Sequence, residues 1–504
     1  MVLRAVPVVA VLLVAGAGCV EPQGGTGDGT MTFLVDVPEN TPPGDTVWIF
    51  VGHEGHEMER VGERTFRAVV EDPGTGDVRY RYVRNGYSFH TAEYLAPTAA
   101  EPDRDTNDFF WTKLGRRTDF EPGAVQRDEV ERWRWFPDGP LPDPATDIEP
   151  RGTFLPRASG GAFRSGQTIE DLYVPAYEDF IESTAARLVA QGYTWVELDP
   201  PWQWSEVDGL PRVVNDVQDS PNYPDDEAFL RELRAYTDVG LHAMVAPQLC
   251  CTGLDTRDRS EAWWDAYFSE TERFLSHFAA LAQQGDASAF AYAVSAPSTA
   301  EPDNAGRWGH VFAAVREHFD GEVGQMVWLL GPEVSPQPQT IPSPQEIPWG
   351  GELDFFLVHS DFPLSTLDDP TDEELLRGAR AVADGTRGLH DAFGKPVLLR
   401  NGYFNVQHAW KGQSYYQIDS VPAISEPEAA VAESGYVFDA HDHARTVDAQ
   451  FRAIAERPWI EGYLHFGYTH WEDPLSPWMS VRGKEAEEVW RKWNEVAHAD
   501  PSPP

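Results

Sequence analysis

The first part of the chain contains short runs in which apolar and polar residues alternate, a pattern typical of β-strands with one buried face. Turn-forming clusters of Pro, Gly, Asp and Asn separate these runs at residues 39–45 and 71–77. The runs are MTFLVDV, TVWIFVG, TFRAVV and VRYRYVR. Several short strands at this spacing predict an all-β sandwich over residues 31–115.

The pattern changes near residue 153, where short apolar runs begin to alternate with amphipathic helical runs. The predicted strands are TFLPRA near residue 153, TWVELD, LHAMVAP, AFAYAVS, QMVWLL, ELDFFLVHS, KPVLLRN and IEGYLHFGY. Eight such units predict an α/β domain, a closed (β/α)8 or TIM barrel over residues 153–498. An open doubly wound sheet is the alternative, but no GxGxxG or Walker sequence follows any strand. The chain is thus predicted to be multidomain, with a linker rich in Pro and Asp over 116–152 and a tail over 499–504.

The first residues predict export. Arg4 is the only charge before an apolar run that is too short to span a membrane as a mature helix. Gly16-Ala17-Gly18-Cys19 resembles the bacterial lipoprotein signal, which implies a signal peptide over 1–18, lipidation of Cys19 and a flexible tether over 19–30. We therefore expect an exported, membrane-anchored lipoprotein, periplasmic or on the cell surface. An ordinary secretory signal with an incidental cysteine is the alternative.

Charge and composition narrow the class of partner. Acidic residues number 82 against 39 basic ones, a net charge of −43 that disfavours nucleic acid and anionic membrane surfaces. A neutral polysaccharide is neither attracted nor repelled by this negative charge. Aromatic residues make up 12% of the chain, which is compatible with stacking on sugars and equally with core packing. We expect no cofactor and no metal, because the His and Cys residues show no metal-binding spacing. The adjacent Cys250 and Cys251 are interpreted as small residues at a strand end.

The barrel region resembles glycoside hydrolase family 113, the mannanase-type barrels, over nearly its whole length. The segments that carry the resemblance are GYTWVELDPPWQW, LDFFLVHSDFPLSTLDDPTDEELLRG, GKPVLLRNGYFN and PWIEGYLHFGYTHWED with VRGKEAEEVWRKW. The N-terminal module resembles the family 20, starch-binding carbohydrate-binding modules in VDVPENTPPGDTVWIFVG, VRYRYVRNGYSFHTAE and EPDRDTNDFFW. This resemblance makes Trp48, Tyr87 and Phe89 candidate stacking residues, although a core role is equally open for each.

Retaining glycosidases need two carboxyl groups across the scissile bond. The barrel resemblance implies an acid/base Glu after strand four and a nucleophile Glu after strand seven. The first position falls on Ala296 or Pro297 and the second on Asn401, none of which supplies a carboxylate. Both expected catalytic groups are therefore interpreted as replaced.

Other acidic and aromatic residues follow the predicted strands and are expected at the barrel mouth. The substitute carboxylates are Asp199, Glu472, Glu301, Glu333 and Asp361, with the first two favoured because tryptophans lie beside them. The candidate sugar-binding residues are Trp202, Trp204, His359, Tyr403, His470 and Trp471.

Three hypotheses follow. The favoured one is a carbohydrate-binding lipoprotein on a degenerate glycosidase barrel. The second is an active glycoside hydrolase that uses displaced carboxylates, and the third is a structural surface lipoprotein that binds no sugar. The barrel's resemblance implies a β-mannan-like ligand and the module's resemblance an α-glucan, with the membrane reached only through the lipid anchor.

Overall fold

The structure, a computed structural model, describes residues 29–52, 54–74, 76–86, 91–95, 115–134, 136–137, 144–169, 177–215, 225–250, 254, 256, 258–293, 304–329, 347–360, 362–412 and 437–499. Cys19, Tyr87, Phe89, Cys251, Ala296, Pro297, Glu301, Glu333 and Asp361 lie outside these residues. Within the described part of the chain, no helix is both long and apolar enough to cross a membrane.

The N-terminal module consists of two four-stranded sheets. The strands are β1 (Thr30–Asp36), β2 (Val47–Val51), β3 (Glu54–Glu57), β4 (Glu59–Arg60), β5 (Thr65–Glu71), β6 (Asp77–Arg84), β7 (Arg116–Asp119) and β8 (Val125–Glu129). One sheet has the order β4-β5-β1-β8 and the other β3-β2-β6-β7. Neighbours pair antiparallel except β1 and β8, which are parallel. Alternate apolar residues of both sheets form one buried cluster.

The predicted linker begins too early. Residues 116–119 pair with β6 and residues 125–129 pair with β1, so both strands complete the module's sheets. These strands are short and mostly polar, with partly exposed residues alternating with exposed ones, and their sequences show little apolar alternation. A sheet edge with so little burial is not visible in a hydrophobicity pattern.

The second domain is a closed barrel of eight parallel strands, as the alternation of strand and helix predicts. They are β9 (Arg164–Ile169), β10 (Trp195–Leu198), β13 (His242–Val245), β15 (Ala289–Ala293), β16 (Glu322–Leu329), β17 (Phe355–Ser360), β18 (Val397–Asn401) and β19 (Ile460–Tyr468). A small sheet of β12 (Leu210–Val214), β11 (Pro201–Val207) and β14 (Gln248–Cys250) adjoins it.

Helices surround the barrel. They are α1 (Glu178–Ala190), α2 (Asp226–Asp238), α3 (Glu261–Gln284), α4 (Ala305–His318), α5 (Asp372–Gly385), α6 (Arg387–Phe393), α7 (Ala440–Ala455) and α8 (Glu485–His498). Several begin at side-chain caps, such as the Thr371 capping box before α5. Because the barrel strands are parallel, their carboxyl ends and the following loops meet at one end, which we call the mouth.

The first barrel strand was predicted in the wrong place. TFLPRA near residue 153 is not a strand, and β9 begins at Arg164 instead. The Arg157 guanidinium donates to the carbonyls of Arg457 and Ile460 at 3.1 and 2.7 Å, where β19 begins, so this segment lies at the amino end of the barrel. Pro156 within the run argues against a central strand, because proline cannot donate to a ladder.

Candidate functional site

A buried ion pair lies inside the barrel at its carboxyl end. Glu197 is on the inner face of β10, and Arg400 is on the inner face of β18. Glu197 accepts from Arg400 Nη1 through Oε1 and from Thr168 Oγ1 through Oε2, both at 2.6 Å. The two charged side chains are 0% and 1% exposed. Both oxygens of Glu197 are thus occupied, and solvent does not reach the carboxylate.

Arg400 also fixes His359 of β17. The guanidinium donates through Nε to His359 Nδ1 at 2.9 Å, so the neutral imidazole carries its proton on Nε2. The His359 ring lies 4.5 Å from the Trp328 ring, and Arg400 Cζ lies 4.9 Å from the centre of the Phe466 ring. Cation–π contact and hydrogen bonding together hold the guanidinium in one orientation.

Above this buried layer, Asp199 follows β10 at the next inward position. Its Oδ2 accepts from the Gln248 amide and lies 3.8 Å from Arg400 Nη1. Asp199 is 9% exposed, and Gln248, Trp328 and Phe466 are partly exposed. Among the residues that the structure describes, the mouth therefore combines the Asp199 carboxylate, the Gln248 amide and the rings of Trp328 and Phe466 above the ion pair of Glu197 and Arg400.

Asn401, at the expected nucleophile position, faces away from the mouth. Its Oδ1 accepts from the Tyr463 hydroxyl at 2.7 Å, and the Tyr463 ring stacks on Trp490 of α8 at 4.6 Å. Leu399 packs in the same outer layer of the barrel, whereas Leu398 packs inside it. The strand end thus directs Arg400 inward and Asn401 toward the helices.

The next residue offers no inward carboxylate position either. A Cβ on Gly402 would lie 2.7 Å from Met479 Sδ and 3.1 Å from the Phe466 carbonyl oxygen. Both distances are below ordinary van der Waals contact, so Gly402 lets β18 and the loop after β19 approach closely. On strand seven, therefore, the inward side chain nearest the mouth is a cation.

Glu472 is the other favoured substitute carboxylate, and it does not lie near Asp199. It pairs with Arg187 on helix α1, which also binds Glu487 of α8 at 2.6 Å. The pair joins the loop after β19 to two helices of the outer layer. The structure accordingly places Asp199 and Glu472 in different environments. The other three substitutes, Glu301, Glu333 and Asp361, lie outside the described residues.

The two tryptophans after Asp199 pack against helix α3 instead of lining the mouth. Trp202 contacts Phe274 and Phe278 at ring-centre distances of 5.5 and 5.4 Å, and Trp204 stacks on Tyr267 at 4.7 Å. Both tryptophans are buried. The cause is the small sheet of β11, β12 and β14, which the sequence pattern did not predict. Strand alternation in β11 directs Trp202 and Trp204 toward the same helix.

Tyr403, His470 and Trp471 are also buried outside the barrel interior. The Tyr403 hydroxyl donates to the Phe362 carbonyl and accepts from Gln450 of α7. His470 lies 3.5 Å from Glu232 of α2, and burial, helped by Arg482, lowers its pKa to about 3. Trp471 lies edge-on to Phe180 of α1. Of the six predicted sugar-binding residues, only His359 faces the barrel interior near the mouth, and it is buried there beside Arg400.

In the module, Trp48 is partly buried against the barrel's core cluster, and its indole N–H donates to Thr46 Oγ1 at 3.1 Å. Its ring therefore contributes to the contact between the two domains. Tyr87 and Phe89 lie outside the described residues.

Five residues at this end of the barrel were not predicted from the sequence: Glu197, Arg400, Gln248, Trp328 and Phe466. A usable signal was present, because counting back two residues from Asp199 along a barrel strand gives Glu197 on the same face. At strand seven the family resemblance implies a catalytic position at Asn401, and nothing in the apolar run KPVLLRN distinguishes the neighbouring Arg400 as the inward-facing residue. Within the described part of the chain, one group has metal-type side chains whose ligand atoms lie within 4.8 Å: Asp147, His441 and Glu485. It lies on the outside, where His441 and Glu485 hydrogen-bond to each other at 2.9 Å.

Comparison with known proteins gives matches at the level of structure. No family model matches the chain, and no curated protein matches it. The GH113 β-mannanase AaManA from Alicyclobacillus acidocaldarius, in complex with ManMIm, has a TM-score of 0.49 and 19% identity, covering 67% of this chain and 98% of that one. A second GH113 β-1,4-mannanase has a TM-score of 0.49 and 16% identity, covering 66% and 99%. The exo-β-1,4-mannosidase Op5Man5 from Opitutaceae bacterium strain TAV5 has a TM-score of 0.41 and 14% identity, covering 69% and 62%. Because these TM-scores are below 0.5 and the identities are below 25%, no argument about the fold or the site rests on these matches. The fold is established by the strand pairing, and the interpretation of the site rests on the contacts described above.

Proposed function

We propose that this protein binds a neutral oligosaccharide or polysaccharide at the barrel mouth and does not hydrolyse it. The observation that carries the proposal is the state of Glu197. Its two carboxylate oxygens are held by Arg400 and Thr168, and the side chain is fully buried. A catalytic carboxyl group has to reach the glycosidic oxygen or the anomeric carbon, and this one cannot.

The position of Asp199, the second carboxylate inside the barrel among the described residues, supports the same conclusion. Glu197 and Asp199 occupy successive inward positions of one strand, and both face the same nitrogen of Arg400. Hydrolysis needs two carboxyl groups that flank the scissile bond from different sides of the sugar. Glu197 and Asp199 do not have that arrangement, because they follow each other along one strand and share the Arg400 guanidinium.

The accessible groups suit recognition of a neutral sugar. Aromatic rings offer apolar faces to the C–H faces of a sugar, and Trp328 and Phe466 are the partly exposed rings at this layer. Asp199 is only 9% exposed, but its carboxylate can accept a hydrogen bond from a sugar hydroxyl, and the Gln248 amide fixes its orientation. Among the described residues inside the barrel at this end, Asp199 and Glu197 outnumber the guanidinium of Arg400, and this excess of negative charge disfavours an anionic sugar.

The rest of the chain is assigned by the same proposal. The two N-terminal sheets form a β-sandwich of the starch-binding type, and lipidated Cys19 anchors the exported protein to a membrane. The barrel's ligand is a β-mannan-like chain, in line with the mannanase resemblance; an α-glucan is the alternative that the module suggests. The lipid anchor would leave the mouth free to hold a polysaccharide near the surface.

Calorimetric titration with mannohexaose, cellohexaose and maltohexaose tests the proposal. We expect one of them to bind, and Trp328→Ala to weaken that binding about tenfold, on the order of 1.4 kcal/mol, because a stacking face is lost. Trp204→Ala is the matched control, since that ring is covered by helix α3 and its loss should lower stability without changing affinity. Absence of binding by the folded wild type to every mannan, cellulose and starch oligosaccharide would favour a purely structural lipoprotein.

A further inference from the structure

The loop over residues 469–484, which we call the mouth loop, joins the carboxyl end of β19 to α8. Its residues 470–472 pack on helices of the outer layer, whereas a later part of it reaches the mouth residue Phe466. Trp478 and Met479 of this loop pack in one cluster with Phe404, Val406 and the mouth residue Phe466. The rings of Trp478 and Phe404 lie 5.5 Å apart. The position of the mouth loop therefore determines how Phe466 and its surroundings are presented to a ligand.

A side chain of the N-terminal module reaches this loop. Arg84, at the end of β6, donates to Asp473 Oδ1 of the mouth loop at 2.7 Å and also pairs with Asp45 of its own module. Arg84 is fully buried and Asp473 is 5% exposed. The guanidinium carbon lies 3.9 Å from the centre of the Phe136 ring. One buried cation thus joins a carboxylate of each domain and has little freedom to leave.

Asp473 is also fixed from the barrel side. The Trp471 indole N–H donates to its Oδ2 at 3.0 Å, so the two oxygens have separate partners. Burial raises the pKa of Asp473 to about 6, and Asp45 adds to this rise, whereas Arg84 and Lys484 oppose it. Asp473 is therefore ionised at pH 7.5, where the contact with Arg84 is a charge pair.

We propose that the N-terminal module is a working part of the barrel's binding site, because Arg84 holds the mouth loop in place through Asp473. Arg84 is a positioning residue, since it acts on the ligand surface through the loop. The consequence for affinity rests on the proposed sugar-binding function; the anchoring of the loop does not. This arrangement also explains why Trp48 packs against the barrel: the same face of the module makes the domain contact.

Hydrogen exchange of the full chain at pH 7.5, without sugar, tests the anchor directly. We expect Arg84→Met and Asp473→Asn each to raise exchange within residues 469–484 at least tenfold. The double variant should exchange no faster than the faster single variant, because both changes break one contact. Asp473→Asn keeps an acceptor for Trp471, which makes it the milder change. Arg67→Met is the control: its partner Glu59 lies on the exposed surface of the same module.

Arg84→Lys should restore part of the protection, since it keeps the charge but not the two-armed geometry. Titration with mannohexaose then reads the effect on binding, and Arg84→Met should weaken it at least fivefold while Arg67→Met leaves it unchanged. Unchanged exchange of the mouth loop in folded Asp473→Asn would overturn the proposal. Loss of loop protection in a protein whose wild type binds no oligosaccharide would support the anchor and overturn the sugar-binding function instead.

Discussion

The two faces of the barrel wall differ in what their polar residues do, although both faces are buried. On the inner face, Glu197 and Arg400 form an ion pair, and the Arg400 guanidinium also lies 3.8 Å from Asp199 at the mouth. On the outer face, Asn401 binds Tyr463 beneath the helices, and His465 contacts His443 of α7 at 3.2 Å. Burial and polarity alone therefore do not identify a functional side chain in this barrel. The side chain must also point toward the barrel interior, and its position along the strand determines whether it does.

The direction in which a strand residue points is also what the sequence pattern does not reveal for this barrel. A parallel strand that is buried on both faces gives a continuous apolar run, so alternation does not reveal which residues face inward. A shift of one residue exchanges the faces of the whole strand. The expected catalytic position at Asn401 falls one residue away from the inward-facing Arg400.

Removing the inner-face cation should have the largest effect. Arg400→Met leaves Glu197 buried without its charge partner, and we expect the free energy of unfolding to fall by about 3–5 kcal/mol. Adding Glu197→Gln should recover much of this loss, because the uncompensated charge is then gone. Urea unfolding of the two variants and the wild type measures both steps. A loss below about 1 kcal/mol for Arg400→Met would show that the pair does not hold the floor of the mouth.

A carboxylate placed on the outer face should destabilise without creating activity. Asn401→Glu restores the residue type expected of a nucleophile, but its side chain faces Tyr463 and the helices. We expect a loss of about 3 kcal/mol, since a charge is buried without a cation beside it, and no release of reducing ends from mannohexaose. Asn401→Gln is the neutral control of equal length. Hydrolysis by Asn401→Glu would mean that residue 401 can face the mouth.

The outer-face histidines predict a smaller, pH-dependent effect. Burial lowers the pKa of His465 to about 3 and that of His443 well below its usual value, with further lowering by Lys484. The unfolded chain therefore binds more protons than the folded one below pH 6.5, and stability falls as the pH falls. Between pH 7.5 and 5.5 each histidine should cost about 1.4 kcal/mol.

Urea unfolding of His465→Gln and the wild type at the two pH values measures the contribution of His465 to this loss of stability. The variant should lose less stability on acidification than the wild type, by about 1.4 kcal/mol. Equal losses in the two proteins would indicate that His465 is protonated in the folded state.

The sequence predicted seven of the eight barrel strands, because each is a short apolar run next to an amphipathic helix. It did not predict β7, β8 or the small sheet of β11, β12 and β14, since these strands are partly polar and owe their position to neighbouring elements. Asp199 and His359 were identified as candidates because they follow or end strands. By the same criterion Trp202 and Trp204 were candidates for sugar binding, but the structure shows that both pack on α3 and do not line the mouth.

Release of reducing ends tests the central claim most directly. Full-length protein at high concentration is incubated with β-mannan, β-glucan, starch and their short oligosaccharides, and new reducing ends are measured over a day. We predict no release from any of them, together with binding of one oligosaccharide that Trp328→Ala weakens. Release that Asp199→Asn or Glu197→Gln abolishes would contradict the account, because a carboxylate held in the mouth layer would then be catalytic and the protein a glycoside hydrolase.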